Sequence, residues 1–235
     1  MSHVITEHRE SQETRDRILE AAERLFAEKG FESTSVRDIT NEADCNVAAV
    51  NYHFGGKENL YVEAFKGLLG ELRDRRIETI RRDMSGVEDP SLEYFLETFA
   101  NGFMDPLVGN GRGQLFLAFI NREMAAPHLP QEVFLANFLN PLMTVAGDAL
   151  ARVAPPMDPG AVRLCLMSMV GQLLHALMVR MHFTPEGHSP VLPGDLGDHI
   201  EHIVRFTAGG VRACALERTD PDPDLSSPHG RGRQA

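Results

Sequence analysis

ILEAAERLFAEKGFESTSVRDITNEADCNVAAVNYHFGGKENLYVEAF, residues 18–65, is the stretch whose reading decides the fold. From Thr14 to Lys29, Ile18, Ala21, Ala22, Leu25 and Phe26 recur at i, i+3, i+4, i+7 and i+8, one apolar helix face. Gly30 is a natural stop for that helix. Thr34 and Ser35 can cap a second helix, and Ser35 with Asp38 has capping-box spacing, with Asp in place of Glu or Gln. Val36, Ile39 and Ala43 form its buried face. Asn46 can cap a third short helix in which Val47, Val50 and Phe54 repeat at i, i+3 and i+7. Gly55-Gly56 breaks it, and a long helix is expected from about Lys57 to Arg82.

The second and third helices, about 36–43 and 46–53, are joined by a tight turn at Asp44-Cys45, the shape of a helix-turn-helix. With Val47, Val50 and Phe54 as the buried direction, Ala48, Ala49, Tyr52 and His53 point away from it, flanked by Asn46 and Asn51. Two outward alanines do nothing for solubility. They do permit close approach to a major-groove floor, where small apolar side chains meet thymine methyls. Asn51, Tyr52 and His53 can donate to phosphates or base edges, and Lys57 starts the next helix beside them. Plain surface packing of Tyr52 and His53, and an ion pair of Arg37 with Asp38 or Glu42, stay open as alternatives. Cys45 reads as a small buried hydrophobe in the turn.

The chain carries 23 basic and 34 acidic side chains, a formal net charge of −11 over 235 residues. Nucleic-acid binding normally calls for a basic footprint, so this balance argues against it at first sight. Residues 1–82 hold 13 basic and 16 acidic groups, net −3, and residues 83–235 hold 10 and 18, net −8. The strip from Cys45 to Lys57 contains no acid, and the local field decides the contact. Apolar residues make up 43%, enough for a sizeable core. No apolar run is read as long enough to span a bilayer, and the polar N-terminus predicts neither a signal peptide nor a membrane anchor. Cys45, Cys165 and Cys214 lie far apart in sequence and read as reduced thiols of a cytoplasmic protein.

Beyond residue 85 the pattern is again helical, with helices expected near 91–104, 112–125, 131–153, 159–183 and 195–217. The fold class is all-α. The organisation reads as a flexible arm over 1–13, a helix-turn-helix domain over 14–56, a connecting helix over 57–84, an effector-binding and dimerisation domain over 85–218, and a disordered tail over 219–235. Residues 184–194 form a Pro/Gly loop. His199 with His202, and His175 with His182, lack a third ligand at sensible spacing, so no metal is expected, and no cofactor motif is present.

The segment 14–65 resembles the N-terminal DNA-binding domain of TetR/AcrR-type repressors, through AAERLFAEKGF, TSVRDI, the helical turn, YHF and GGKENL. NVAAVNYHFGGKENLY is similar to a subgroup with a poorly characterised C-terminal domain, and NREMAAPHLP (121–130) and MSMVGQLLHALM (167–178) fit it. The resemblance implies that Arg37 contacts DNA from the second helix. It implies phosphate contacts from Ser35, Tyr52, His53 and Lys57, and base contacts from Val47, Ala48, Ala49 and Asn51, with Asn46 at the start of the same helix. Asn51 stands where tyrosine is frequent, and Ala48-Ala49 where Gly-Thr is frequent.

The resemblance also implies a homodimer on a palindromic operator, and a pocket for a small hydrophobic or amphipathic effector. The aromatic and Met content of 91–217 suits such a pocket, although helical core explains any one of those residues equally well. Phe99, Phe103 and Phe119 are its apolar candidates, and Arg122, Glu123, Gln172 and His175 its orienting groups; an Arg122–Glu123 structural ion pair is the competing reading. SMVGQLLHALM is apolar around most of its circumference. Ala208, Gly209, Gly210, Ala213 and Ala215 let another backbone approach, so helices 159–183 and 195–217 are the expected dimer surface. Two further readings remain: a helical enzyme with Glu123 and His175 as acid and base, and a regulator controlled by a protein partner.

Overall fold

A computed structural model describes residues 2–108, 111–182 and 193–216, and among these residues every regular element is a helix. The expected tail 219–235 and most of the 184–194 loop lie outside the described residues, as do Phe183 and the side chain of His182. Two compact units are present. The first comprises 1–89 and 98–146, the second 90–97 and 147–235. Residues 98–146 thus group with the N-terminal helices instead of with the rest of the expected effector domain.

In the first unit, α1 (Ser2–Ser33) is helical through the stretch read as a flexible arm, and it kinks at Gly30, where φ is 81°. Thr34 is fully buried and donates its hydroxyl to the carbonyls of Leu25 and Gly30, which pins the kink. The cap of α2 (Val36–Glu42) is Ser35 alone: its Oγ accepts from the Asp38 amide, and Asp38 accepts from the Ser35 amide. Asp44 takes φ 49° in the turn, and the Cys45 amide donates back to the Thr40 carbonyl. In α3 (Val47–Phe54), Asn46 Oδ1 accepts from the Ala48 amide, and Gly55 ends the helix in the left-handed region at φ 75°. The helix α4 (Lys57–Ser85) then runs for 29 residues.

Around α4 pack α1 and α6 (Arg112–Ala125). Their shared core is aromatic: Tyr61 lies 4.8 Å from Phe26 and 4.9 Å from Phe119, and Phe65 lies 5.2 Å from Phe119, ring centre to ring centre. Between α4 and α6 in sequence comes α5 (Leu92–Val108). The helix expected over 131–153 is built as α7 (Gln131–Phe134), a π-helical turn (Leu135–Leu139) and α8 (Asn140–Val153).

The second unit centres on α9 (Pro159–His182) packed against α10 (Leu196–Leu216). Leu166, Met169, Leu173, Ala176 and Leu177 of α9, and Ile203, Val204, Thr207, Ala208 and Val211 of α10, are buried. Contrary to expectation, two stretches, Gln131–Val153 and Pro159–Arg180, are long and apolar enough by length and composition to cross a membrane. For α9 that composition reflects apolar residues on two faces. One packs on α10; the other carries Leu164, 69% exposed, and Met167, with Phe206 of α10, 64% exposed. The thiol of Cys165 sits beside that of Cys214, and burial pushes it up to about 11.

Candidate nucleic-acid interface

The buried side of α3 is Val50 and Phe54, and Arg15 of α1 covers the Phe54 ring at 5.0 Å. Its opposite side is open. Tyr52 is 81% exposed, with Ala48 and Asn51 beside it. Ala49 and His53, expected to point fully outward, are half-buried, and the His53 ring meets the Tyr52 ring edge-on at 4.9 Å. Val47, taken as part of the buried direction, is 44% exposed. It occupies the first helical position, where the side chain leans toward the N-terminus and has no preceding turn to cover. The outward arc is therefore Val47, Ala48, Asn51 and Tyr52.

Around this arc, Arg37 is exposed on α2 without an ion-pair partner among the described residues. The two acids that could have taken it are engaged elsewhere: Glu42 pairs with Arg24, and Asp38 accepts from Ser35. Ser35 is exposed, but its hydroxyl already donates to Asp38 at 2.7 Å. Asn46 is exposed and occupied as the α3 cap. Lys57 begins α4, whose first turn has no side-chain cap, and its Nζ lies 4.1 Å above the Phe31 ring. Uncapped N–H groups and a lysine at one helix end suit a phosphate oxygen.

This open helix on a three-helix head coincides with a match to the model for bacterial regulatory proteins of the tetR family over residues 18–64. The C-terminal domain of the HTH-type transcriptional dual regulator CecR matches residues 92–211, half of the chain, and includes both NREMAAPHLP and MSMVGQLLHALM. The chain belongs to the TetR family of transcriptional regulators. This TetR-family chain is 48% identical over 58 residues to the regulator YttP of Bacillus subtilis (strain 168), covering 23% of this chain and 28% of that protein. It is 38% identical over 58 residues to the repressor KstR2 of Rhodococcus jostii (strain RHA1), covering 25% and 28%. These alignments span about a quarter of each curated relative. A TetR-family structure from Mesorhizobium loti superposes with a TM-score of 0.64 at 20% identity, over 85% of this chain and 96% of that one.

In this TetR-family regulator the residues read as effector contacts are divided between the two units. Phe119 belongs to the aromatic core with Phe26, Tyr61 and Phe65. Phe99 and Phe103 stack on each other along α5, 6.4 Å apart. Arg122 and Glu123 form no pair with each other. Arg122 donates Nε to the Ala27 carbonyl at 2.8 Å and Nη2 to the Glu28 carbonyl, so it holds the end of α1. Glu123 is buried and accepts from the Tyr61 hydroxyl at 2.7 Å and from the amides of His128 and Leu129 at 2.7 and 2.6 Å. Burial holds the Tyr61 hydroxyl well above its ordinary value. Gln172 and His175 lie on α9 in the second unit; Gln172 donates to the Ser168 carbonyl of its own helix, and His175 is exposed. Among the described residues no group of three or more His, Cys, Asp or Glu is placed to hold a metal.

Several connections between head and core were not anticipated from sequence. His128 Nε2 lies 3.1 Å from Glu32 Oε1, and its ring lies 4.7 Å from Phe31, the ring under Lys57. Arg112 of α6 reaches the buried Glu23 of α1 at 2.8 Å and Glu71 of α4 at 2.5 Å. Burial raises the Glu23 carboxyl above its ordinary value against the pull of Arg112. The signal for Glu23 was a carboxylate beside Ala22 and Leu25 on the apolar side of α1. Nothing in sequence pairs it with a residue 89 positions away.

Proposed function

We propose that this regulator is a repressor which binds an approximately palindromic operator as a homodimer and leaves it when a small amphipathic effector binds the helical core. The observation that carries the DNA half is the open arc of α3, with Tyr52 81% exposed on a helix whose other side is buried. Two such helices, one per subunit, would read successive major grooves, and the two-fold axis of the dimer would impose its symmetry on the operator. Ala48 would approach base edges, Tyr52, Arg37 and Lys57 would hold phosphates, and the −8 half would face away from DNA. The site of action is the cytoplasm.

The exposed stripes of α9 and α10 support the dimer. Leu164, Met167, Ser168, Gly171 and His175 recur at helical spacing, as do His202, Phe206, Gly209, Gly210 and Ala213. A Cβ on Gly171, Gly209 or Gly210 would meet nothing within 4 Å. Glycines in a helix interior cost about 1 kcal/mol each against alanine, and the close approach of a second backbone would offset that. Release would act through α4, which starts at Lys57, and through Arg122, Glu123 and His128, which tie α6 and the following loop to α1 and Tyr61. Operator and effector must then weaken each other's binding by the same factor.

Tyr52→Ala and Lys57→Ala test the DNA surface. Gel shift with the selected operator should show at least a tenfold loss for each, with the dimer retained in sedimentation. Undiminished binding by both would remove the surface assignment.

A further inference from the structure

Arg76 lies on the buried side of α4, 2% exposed, between Leu72 and Ile80 one turn to either side. Its Nη2 donates to the Phe103 carbonyl at 3.0 Å. Nε and Nη1 are buried and meet no acceptor among the described residues. The guanidinium carbon lies 3.8 Å from the centre of the Phe103 ring and 5.6 Å from that of Phe138. Along the helix Asp74 is committed to Arg73 and Glu71 to Arg112, and Glu78, two residues on, is exposed to solvent. Burial pushes the guanidinium down to about 9, which leaves it cationic at neutral pH.

A buried cation without an anion is costly. Taking it out of water costs more than the two aromatic faces return. A methionine or leucine would fill the same space without that cost. Two neighbouring features fit a ligand here. Phe138 sits in the π-helical turn Leu135–Leu139, a distortion that recurs at functional sites. A cleft of about 150 Å³ opens one turn away, lined by Leu72, Pro106 and Gly113 and by the charged side chains of Glu71, Arg75 and Arg112.

We propose that Arg76 anchors the acidic head of the effector, a monocarboxylate with an aliphatic or aromatic body. The carboxylate accepts from Nε and Nη1, and the body enters from the cleft and lies against Phe103 and Phe138. Of the other cations at the cleft, Arg112 is paired with Glu23 and Glu71 and Arg75 is exposed. The one buried cation, Arg76, neutralises one negative charge, which fits a carboxylate better than a phosphate dianion. A neutral head of the same size leaves the guanidinium unpaired, and a site with buried polar groups rejects such analogues strongly. This inference rests on the effector reading above.

The test is titration calorimetry on the full-length protein with saturated monocarboxylates from hexanoate to dodecanoate, and with the alcohols of the same chain lengths. One chain length should bind at one per subunit with the acid at least tenfold tighter than its alcohol. Arg76→Met should abolish that preference, leave alcohol binding within about twofold, and melt no lower than the wild type. Arg76→Lys should keep part of the preference, and it serves as the readout should the Met variant not fold. Equal binding of acid and alcohol, or acid binding unchanged by Arg76→Met, would overturn the anchor while the effector reading stands. Failure of every acid and alcohol to bind the wild type would overturn both.

Discussion

At the scale of single residues, His128 is where acid–base chemistry enters. Its hydrogen bond to Glu32 raises its protonation above the ordinary 6.5, and Glu123 adds in the same direction. A raised value in the folded state means that protonation stabilises the fold. The contribution is complete below about 6.5 while Glu32 stays ionised, and it disappears as pH rises through the raised value. Lys57 is held over the Phe31 ring that His128 also touches, and Arg122 lies against Gly30 next to it. Melting of His128→Gln against wild type should therefore show its largest deficit below about pH 6.5, and the deficit should shrink as pH rises above it. A deficit independent of pH would remove the charge from the account. Arg76 was legible in principle, as the one cation on the stripe Phe65, Leu68, Leu72, Ile80, but it stands among four other arginines and periodicity alone does not single it out.

At the scale of elements, most of the head could be read because its signals are local. The Ser35–Asp38 box, the Asn46 cap and the Gly55 stop each act within four residues, and each forms as expected. The π-helical turn at Leu135–Leu139 comes just before Pro141, which has no N–H for the Asn137 carbonyl and crowds it. Arg73 Nη1 donates to that carbonyl instead, a long-range partner that no local signal announces. The junction of α5 and α6 is set by packing. Gly113 presses against the Pro106 carbonyl so closely that a Cβ would overlap it. Gly113→Ala should lower stability by about 2–3 kcal/mol, measured by urea unfolding, through displacement of one helix end. A neutral result would mean that the two helix ends slide apart freely.

The proposed dimer would use a surface of α9 and α10 that a single chain leaves open. Leu164 and Phe206 are the largest apolar side chains on the exposed stripes of α9 and α10. Replacing both with glutamate should convert the dimer to a monomer in sedimentation, and should weaken operator binding more than a hundredfold while the head stays folded. Retention of the dimer would move the interface elsewhere. The charge arithmetic could be read at this scale, and the tertiary partners of α6 could not. Phe99, Phe103, Phe119, Arg122 and Glu123 were grouped by chemistry, whereas tertiary packing spends Phe119, Arg122 and Glu123 on holding α6 to α1 and α4.

The central claim is that two copies of α3 read DNA across a two-fold axis. Selection of bound fragments from a random duplex pool by the full-length protein tests it most directly. The account predicts enrichment of an inverted repeat whose half-sites lie about one helical turn or a multiple of it apart, lost when Tyr52→Ala replaces the wild type. Enrichment of a single asymmetric site, or of no sequence at all, would contradict it.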